Sequence, residues 1–244
     1  GIMFSDAFVK NRHVAQRLRE LNYEPSEFYI TNHIYKWYNE LFKLPKDFEA
    51  KFDAFMKNAK PTPDTKLICA QIRIGSHTGG SSSKKTIADE YFMSRNDSLK
   101  YWAFIRSELL EKQNMTSNYR VFVTSDHEDV KVEAANYFGA DRVLYTTNSS
   151  YHFDRDFKQQ NDARCKTLQN VLYDFYLLGA CDAAVISHSG FGLFGLLNRK
   201  EPYNNLYVYT FENQEEMRHN VWNRYNKKLH FRRIRNVQKD LYFI

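Results

Sequence analysis

Three short segments carry residue types that could do chemistry, and each closes an apolar run. Arg73 lies near the end of the β-branched run 67–74, which Gly75 closes. A guanidinium there can grip a phosphate through two parallel N–H bonds. Ser125-Asp126-His127 follows the run 119–124. Ser187-His188-Ser189-Gly190-Phe191 follows the run 183–186 and opens a second apolar stretch. A Ser-Gly turn at a helix start offers a hydroxyl and backbone N–H groups to an anion. Arg73 with Ser189-Gly190 therefore suits a phosphate. Taken alone, Arg73 is explained equally well by a structural ion pair.

The elements that must position these residues follow from periodicity. Phe8, Val9, Val14, Leu18 and Leu21 recur at helical spacing, and Pro25 ends that run. A second, aromatic-rich helix is predicted from Ser26 through Ile30, Ile34, Trp37, Tyr38, Leu41 and Phe42, and a third after Pro45 with Phe48, Phe52, Phe55 and Met56 on one side. Pro61-Thr62-Pro63 then marks a boundary. Beyond it, predicted strands at 67–74, 119–124, 143–145, 183–186 and 206–211 alternate with helices at 87–110, 130–138, 167–178 and from 192. Alternation of this kind predicts an α/β fold, a Rossmann-like, mostly parallel sheet with flanking helices, preceded by a helical segment. The expected division is 1–62 as helical connection and 63–244 as the Rossmann-like domain. The basic tail 226–235 reads as a solvated helix or an edge over another domain. In such sheets ligands collect at the carboxyl ends of the strands, where the three segments lie.

Composition excludes several classes. The 244 residues are 43% hydrophobic with 9 Gly and 5 Pro, which rules out collagen-like and wholly disordered chains. Charges interrupt every long apolar stretch, so no membrane span is expected in this segment. The start Gly1-Ile2-Met3-Phe4 lacks the basic and apolar regions of a signal peptide. A net charge of +6 is modest for this length and favours a solvated surface over nucleic-acid binding. Cys69, Cys165 and Cys181 have no zinc spacing; Cys69 and Cys181 lie in apolar stretches and read as buried thiols. N-x-[ST] sequons stand at Asn96, Asn114 and Asn148. Gly75 to Gly80 has P-loop glycine spacing but lacks the lysine that reaches the phosphates. Asp154-Arg155-Asp156 has a metal-holding form but closes no apolar strand. Ser189 sits at a strand–turn–helix, yet Asp240 follows His219 and His230, the wrong order for a hydrolase triad.

Taken together, the three segments resemble the fucosyltransferase superfamily. Gln71-Ile72-Arg73-Ile74-Gly75-Ser76 is similar to the H-x-R segment, in the H-L-R-I-G-S form of protein O-fucosyltransferases. Val121-Phe122-Val123-Thr124-Ser125-Asp126 resembles the second motif, a strand ending in Thr/Ser-Asp. Asp174 to Asp182, followed by Ala-Val-Ile-Ser-His-Ser-Gly-Phe191, resembles the third, and the stretch from Ile186 to Leu197 also resembles α1,2-fucosyltransferases. The resemblance covers roughly residues 66–197. It implies the C-terminal, GDP-fucose-binding half of a GT-B enzyme, of the protein O-, α1,2- and α1,6-fucosyltransferase kind, that transfers fucose with inversion to a glycan or protein hydroxyl. It implies that Arg73 binds the β-phosphate and stabilises the leaving GDP, that Ser189 and Gly190 form the phosphate turn, and that Phe191 packs near the nucleotide. Asp174 would face the guanine, Asp126 would lie close to the nucleotide, and Gln71 takes the place of the family's His. GDP-fucose is the donor substrate, with no cofactor and no metal. The Gly-rich N-terminal motif of the family is absent, so an N-terminal half is expected as a partner, along with the acceptor. The implied location is the secretory-pathway lumen, Golgi or endoplasmic reticulum. Two departures, Gln71 for His and Gly190 for the second Ser/Thr of the turn, keep open a non-catalytic sugar-nucleotide or glycan-binding module.

Overall fold

The central strand is apolar on both sides because both of its faces are covered. β1 (Lys66–Ile72) is buried from its second residue onward. Its residues alternate between two cores: Ile68, Ala70 and Ile72 belong to one, Leu67 and Cys69 to the other. This chain, seen in a computed structural model that describes residues 10–74, 97–146, 162–211 and 229–240, is a six-stranded α/β sheet. The strands are ordered β3-β2-β1-β4-β5-β6, where β2 is Tyr119–Ser125, β3 Val143–Leu144, β4 Ala183–Ser187, β5 Leu206–Phe211 and β6 Leu229–Arg233. All neighbours pair in parallel except β5 and β6. The fold is thus the Rossmann-like one expected, with helices before and around the sheet.

Chain order reverses at β1. From β1 the chain steps outward through β2 to β3, then returns to β4 on the other side of β1. A crevice opens at the carboxyl ends where two such paths diverge. Here that point lies between Ile72 and Ser187, the last residues of β1 and β4.

Helices cover each face. One face carries α4 (Ser98–Phe104), its continuation as a π-helical segment (Ile105–Glu111), and α5 (Glu128–Phe138). Trp102, Ile105, Leu109 and Val130 are fully buried there. The other face carries α6 (Asp162–Leu178) and α7 (Gly190–Leu197), through Leu177, Leu178, Leu193, Leu196 and Leu197. Three helices precede the sheet: α1 (Arg12–Glu20), α2 (Ile34–Leu41) and α3 (Lys46–Ala59). α3 joins the second core through Phe52, Phe55 and Met56, and the Phe55 ring meets Phe122 edge-on at 5.6 Å. A short α8 (Val237–Asp240) ends the described chain.

Three expectations change. The aromatic helix predicted from Ser26 begins only at Ile34; before it, 3-10 turns occupy Pro25–Glu27 and Ile30–Asn32. The β-branched Thr31 is fully buried and its hydroxyl bonds that of Tyr203 at 2.5 Å, a tie that a continuous helix would not serve. Leu229–Arg233 of the basic tail form β6, an antiparallel edge strand, with Phe231 stacked on Phe104 at 4.1 Å. Cys69 and Cys181 are not separate thiols but a disulfide with Cα atoms 5.9 Å apart. They meet because Cys181 lies just before β4, which runs beside β1, a register that a separation of 112 residues conceals. The loop 75–85, residues 87–96 of a predicted helix, the Asp154-Arg155-Asp156 motif and the sequons at Asn96 and Asn148 lie outside the described residues. Among the described residues no helix is long and apolar enough to cross a membrane.

The disulfide has a measurable consequence. Thiol labelling of the unfolded, unreduced protein should find one reactive cysteine, Cys165, and three after reduction. Losing a native disulfide costs about 2–5 kcal/mol, so reduction should lower Tm by roughly 5–15 °C at this chain length. Three thiols without reductant would contradict the pairing.

Candidate functional site

The carboxyl ends of β1, β2 and β4 are tied into one unit by short polar bonds. Ser187 is its hub. The Arg73 backbone N–H donates to Ser187 Oγ at 3.0 Å, and Ser187 O–H donates to Gln71 Oε1 at 3.2 Å. From β2, Asp126 Oδ1 accepts the Ile74 N–H at 2.9 Å, pinning the residue after Arg73. Arg73 thus leaves β1, half-buried, with its backbone fixed on one side by β4 and on the other by the β2 loop.

α7 starts three residues beyond Ser187. Ser189 is its N-cap, extended at φ −136° and ψ 126°, and its side chain caps no backbone N–H. The first N–H groups of a helix have no partner within it. The Ser189 hydroxyl is itself buried at 3% exposure and has no hydrogen-bond partner among the described residues. Buried hydroxyls are normally satisfied, so this one together with the bare helix start marks a place built to hold an acceptor-rich group. A Cβ placed on Gly190 would meet nothing within 4 Å, so open space adjoins the turn. Phe191 packs inward, its ring 6.1 Å from Phe175.

Two neighbours set the electrostatics. Burial pushes the His188 imidazole down to about 4, so it is neutral at physiological pH and adds no cation beside the turn. Arg73 carries the fixed positive charge. Gln71 points to the α7 side, as its odd position on β1 dictates. A Cβ on Gly192 would lie 2.5 Å from Gln71 Oε1 and 3.0 Å from Cδ, so glycine is what lets α7 come this close.

That contrast between glycines is testable. Gly190→Ala should leave Tm within the shift of a neutral surface change, under about 0.5 kcal/mol. Gly192→Ala should cost about 1–3 kcal/mol by overpacking, a fall of roughly 2–4 °C per kcal/mol. Equal behaviour of the two variants in a thermal melt would contradict the packing described.

Asp174 stands apart from this cluster of bonds. It is buried at 8% exposure, with Oδ2 accepting Thr124 Oγ1–H at 2.7 Å and Oδ1 accepting Thr146 Oγ1–H at 2.5 Å. Burial raises its pKa above the usual carboxylate range. The buried Lys131 ammonium donates to the Thr146 carbonyl at 3.1 Å and pairs with Glu128 at 2.7 Å. In this arrangement Asp174 braces the end of β2 against the chain leaving β3. Asp182, at the other end of the same motif, accepts the Leu67 N–H at 2.7 Å and pairs with Lys60 at 2.8 Å, which anchors the start of β1.

Gln71, Arg73, Asp126, Ser189 and Gly190 therefore gather around the switch point, and Asp174 sits in a neighbouring hydroxyl cage. Reasoning from sequence placed Ser187 and Thr124 in candidate segments without giving either a role, and passed over Thr146 and Gly192. Ser187 carried a usable signal, a hydroxyl in the last position of an otherwise apolar strand.

No protein-family model matches this chain, and no curated protein matches it. Among solved structures it is similar to NodZ alpha-1,6-fucosyltransferase co-crystallised with GDP, at 14% identity over 78% of this chain and 48% of that one, with a TM-score of 0.42. The same enzyme soaked with GDP-fucose gives 14% identity, 78% and 49% coverage and a TM-score of 0.43. Fucosyltransferase NodZ from Bradyrhizobium gives 13% identity, 70% and 46% coverage and a TM-score of 0.39. This chain spans about half the length of the solved structures it matches.

Proposed function

We propose that this chain is the donor-binding half of an inverting, GT-B-type fucosyltransferase that takes fucose from GDP-fucose to a glycan or protein hydroxyl. One observation carries the reading: the Arg73 backbone is bonded to Ser187, two residues before Ser189, and at the Ser189-Gly190 start of α7 a buried serine hydroxyl has no partner among the described residues. The motif resemblance supplies the choice of GDP-fucose. In the reaction, an acceptor oxygen attacks the anomeric carbon from the face opposite the diphosphate. The bond from that carbon to the β-phosphate oxygen breaks, and the acceptor proton passes to a base. Charge accumulates on the departing diphosphate as the sugar becomes oxocarbenium-like. Arg73 and the N–H groups of α7 meet that charge without reorganising, the kind of preplaced stabilisation that contributes about 2.7–4 kcal/mol per donor.

In this reading Asp126 acts through Ile74, by holding the Arg73 segment against the nucleotide. Asp174 acts by bracing the end of β2 beneath the base rather than by gripping guanine as a free carboxylate. A second half of the enzyme supplies the acceptor site. The buried disulfide supports an oxidising location such as the secretory lumen.

A thermal-shift titration tests the donor assignment. A ligand at 100 times its Kd adds about 2.7 kcal/mol, so saturating GDP should raise Tm by roughly 5–10 °C at this size, with UDP and ADP doing less. No shift with GDP alongside a shift with another nucleotide would remove the assignment. Gln71 favours one second reading. Its Oε1 already accepts from Ser187, which leaves it unlike a basic imidazole in that place and fits a module that binds sugar nucleotides without turning them over. Binding without hydrolysis or transfer would select that module.

A further inference from the structure

We propose that Asn114 carries an N-linked glycan, an assignment independent of what the switch-point site binds. Asn114-Met115-Thr116 is a sequon in the turn that closes the π-helical segment. Asn114 and Thr116 are both exposed, and between them Met115 packs on the core and bonds the Leu110 carbonyl at 2.8 Å. The middle residue is thus tethered while the two that an oligosaccharide-transferring enzyme must grip face solvent. The Asn114 backbone takes φ +53°, a turn conformation that asparagine tolerates, and its side chain makes no hydrogen bond among the described residues.

The sequon at Asn96 is different. Its hydroxyl residue, Ser98, is 1% exposed and donates to Glu133 at 3.0 and 2.9 Å, so that hydroxyl is consumed by the fold. Position favours Asn114 as well. It lies four residues before Asn118, whose carbonyl accepts the Lys66 N–H at the start of β1. The candidate site is at the other end of the strands, about 20 Å away for seven residues at roughly 3.3 Å each. A glycan there leaves the crevice open. The Cys69–Cys181 disulfide is a second, separate mark of a compartment in which such glycans are added.

Chemically, the Asn114 amide nitrogen displaces a lipid-linked diphosphate from the anomeric carbon of its oligosaccharide. A C–N bond forms, the C–O bond to the diphosphate breaks, one amide proton is lost to a base, and the diphosphate leaves. The full chain behind a cleavable signal sequence, translated with endoplasmic-reticulum microsomes, tests this without requiring that a variant fold. A glycosidase-sensitive band is expected that Asn114→Gln and Thr116→Ala each remove and Asn96→Gln leaves in place. Peptide mass spectrometry should place the sugar on residue 114. A glycosylation pattern unchanged by Asn114→Gln, or a band removed by Asn96→Gln instead, overturns the assignment, as does a translocated wild-type chain with no glycosidase-sensitive band.

Discussion

Arg73→Ala is expected to weaken GDP binding by about 10- to 100-fold. A hydrogen bond to a charged group is worth about 1.5–3 kcal/mol, and each 1.4 kcal/mol is tenfold. The size of the effect follows from the site: the N–H groups of a helix start give a phosphate partial charges, whereas Arg73 gives it a whole one in a forked geometry. Arg73→Lys should fall between, because an ammonium keeps the charge and loses the fork. If the complete enzyme is assembled, Arg73→Ala should lower turnover more than affinity, by about 10²–10³-fold, since the diphosphate is most negative as it departs. Isothermal titration with GDP, with a melting curve as control, reads the first effect. Wild-type affinity in a folded Arg73→Ala protein would contradict the role given to the guanidinium.

Ser187→Ala should be the most damaging single-atom change to the site's framework. Removing one hydroxyl leaves the Gln71 carbonyl oxygen and the Arg73 N–H without their shared partner. Gln71 is buried at 5% exposure, so water replaces that oxygen poorly. Each buried group stranded in this way costs about 1–3 kcal/mol. Because the losses share one site they do not simply add, and a total of about 2–5 kcal/mol is expected. Tm should fall by roughly 5–15 °C. GDP affinity should fall too, since Arg73 is no longer held at the mouth of β1. Ser187→Cys, which nearly keeps the volume but is a weaker hydrogen-bonding group, should also be destabilised, separating the loss of the bonds from the loss of packing. Chemical denaturation of both variants measures this; wild-type stability in Ser187→Ala would mean that the hub contributes nothing.

Much of this architecture was legible in the residues. Apolar runs of three to eight positions, alternating with helical patterns, were enough to place five strands in a parallel sheet. The rule for strand ends then picked out Arg73, Asp126 and Ser189 before any pairing was known. What stayed hidden depended on register. Nothing in the runs themselves says that residue 71 faces α7, so the demand for glycine at 192 was invisible. Cys69 and Cys181 looked like two separate core thiols because their proximity arises only when β1 and β4 lie side by side. Asp174 resembled a ligand-facing carboxylate in its motif, yet Thr124 and Thr146, which are 50 and 28 residues away, close on it in the fold. Thr31 broke a helix that hydropathy alone would have continued, through a hydroxyl contact 172 residues distant.

The structure of this chain bound to GDP tests the account most directly. The diphosphate should lie between the Arg73 guanidinium and the first N–H groups of α7, with the Ser189 hydroxyl donating to a phosphate oxygen. A diphosphate bound elsewhere on the molecule, or a Ser189 hydroxyl turned away from it and satisfied by the protein, would contradict the assignment.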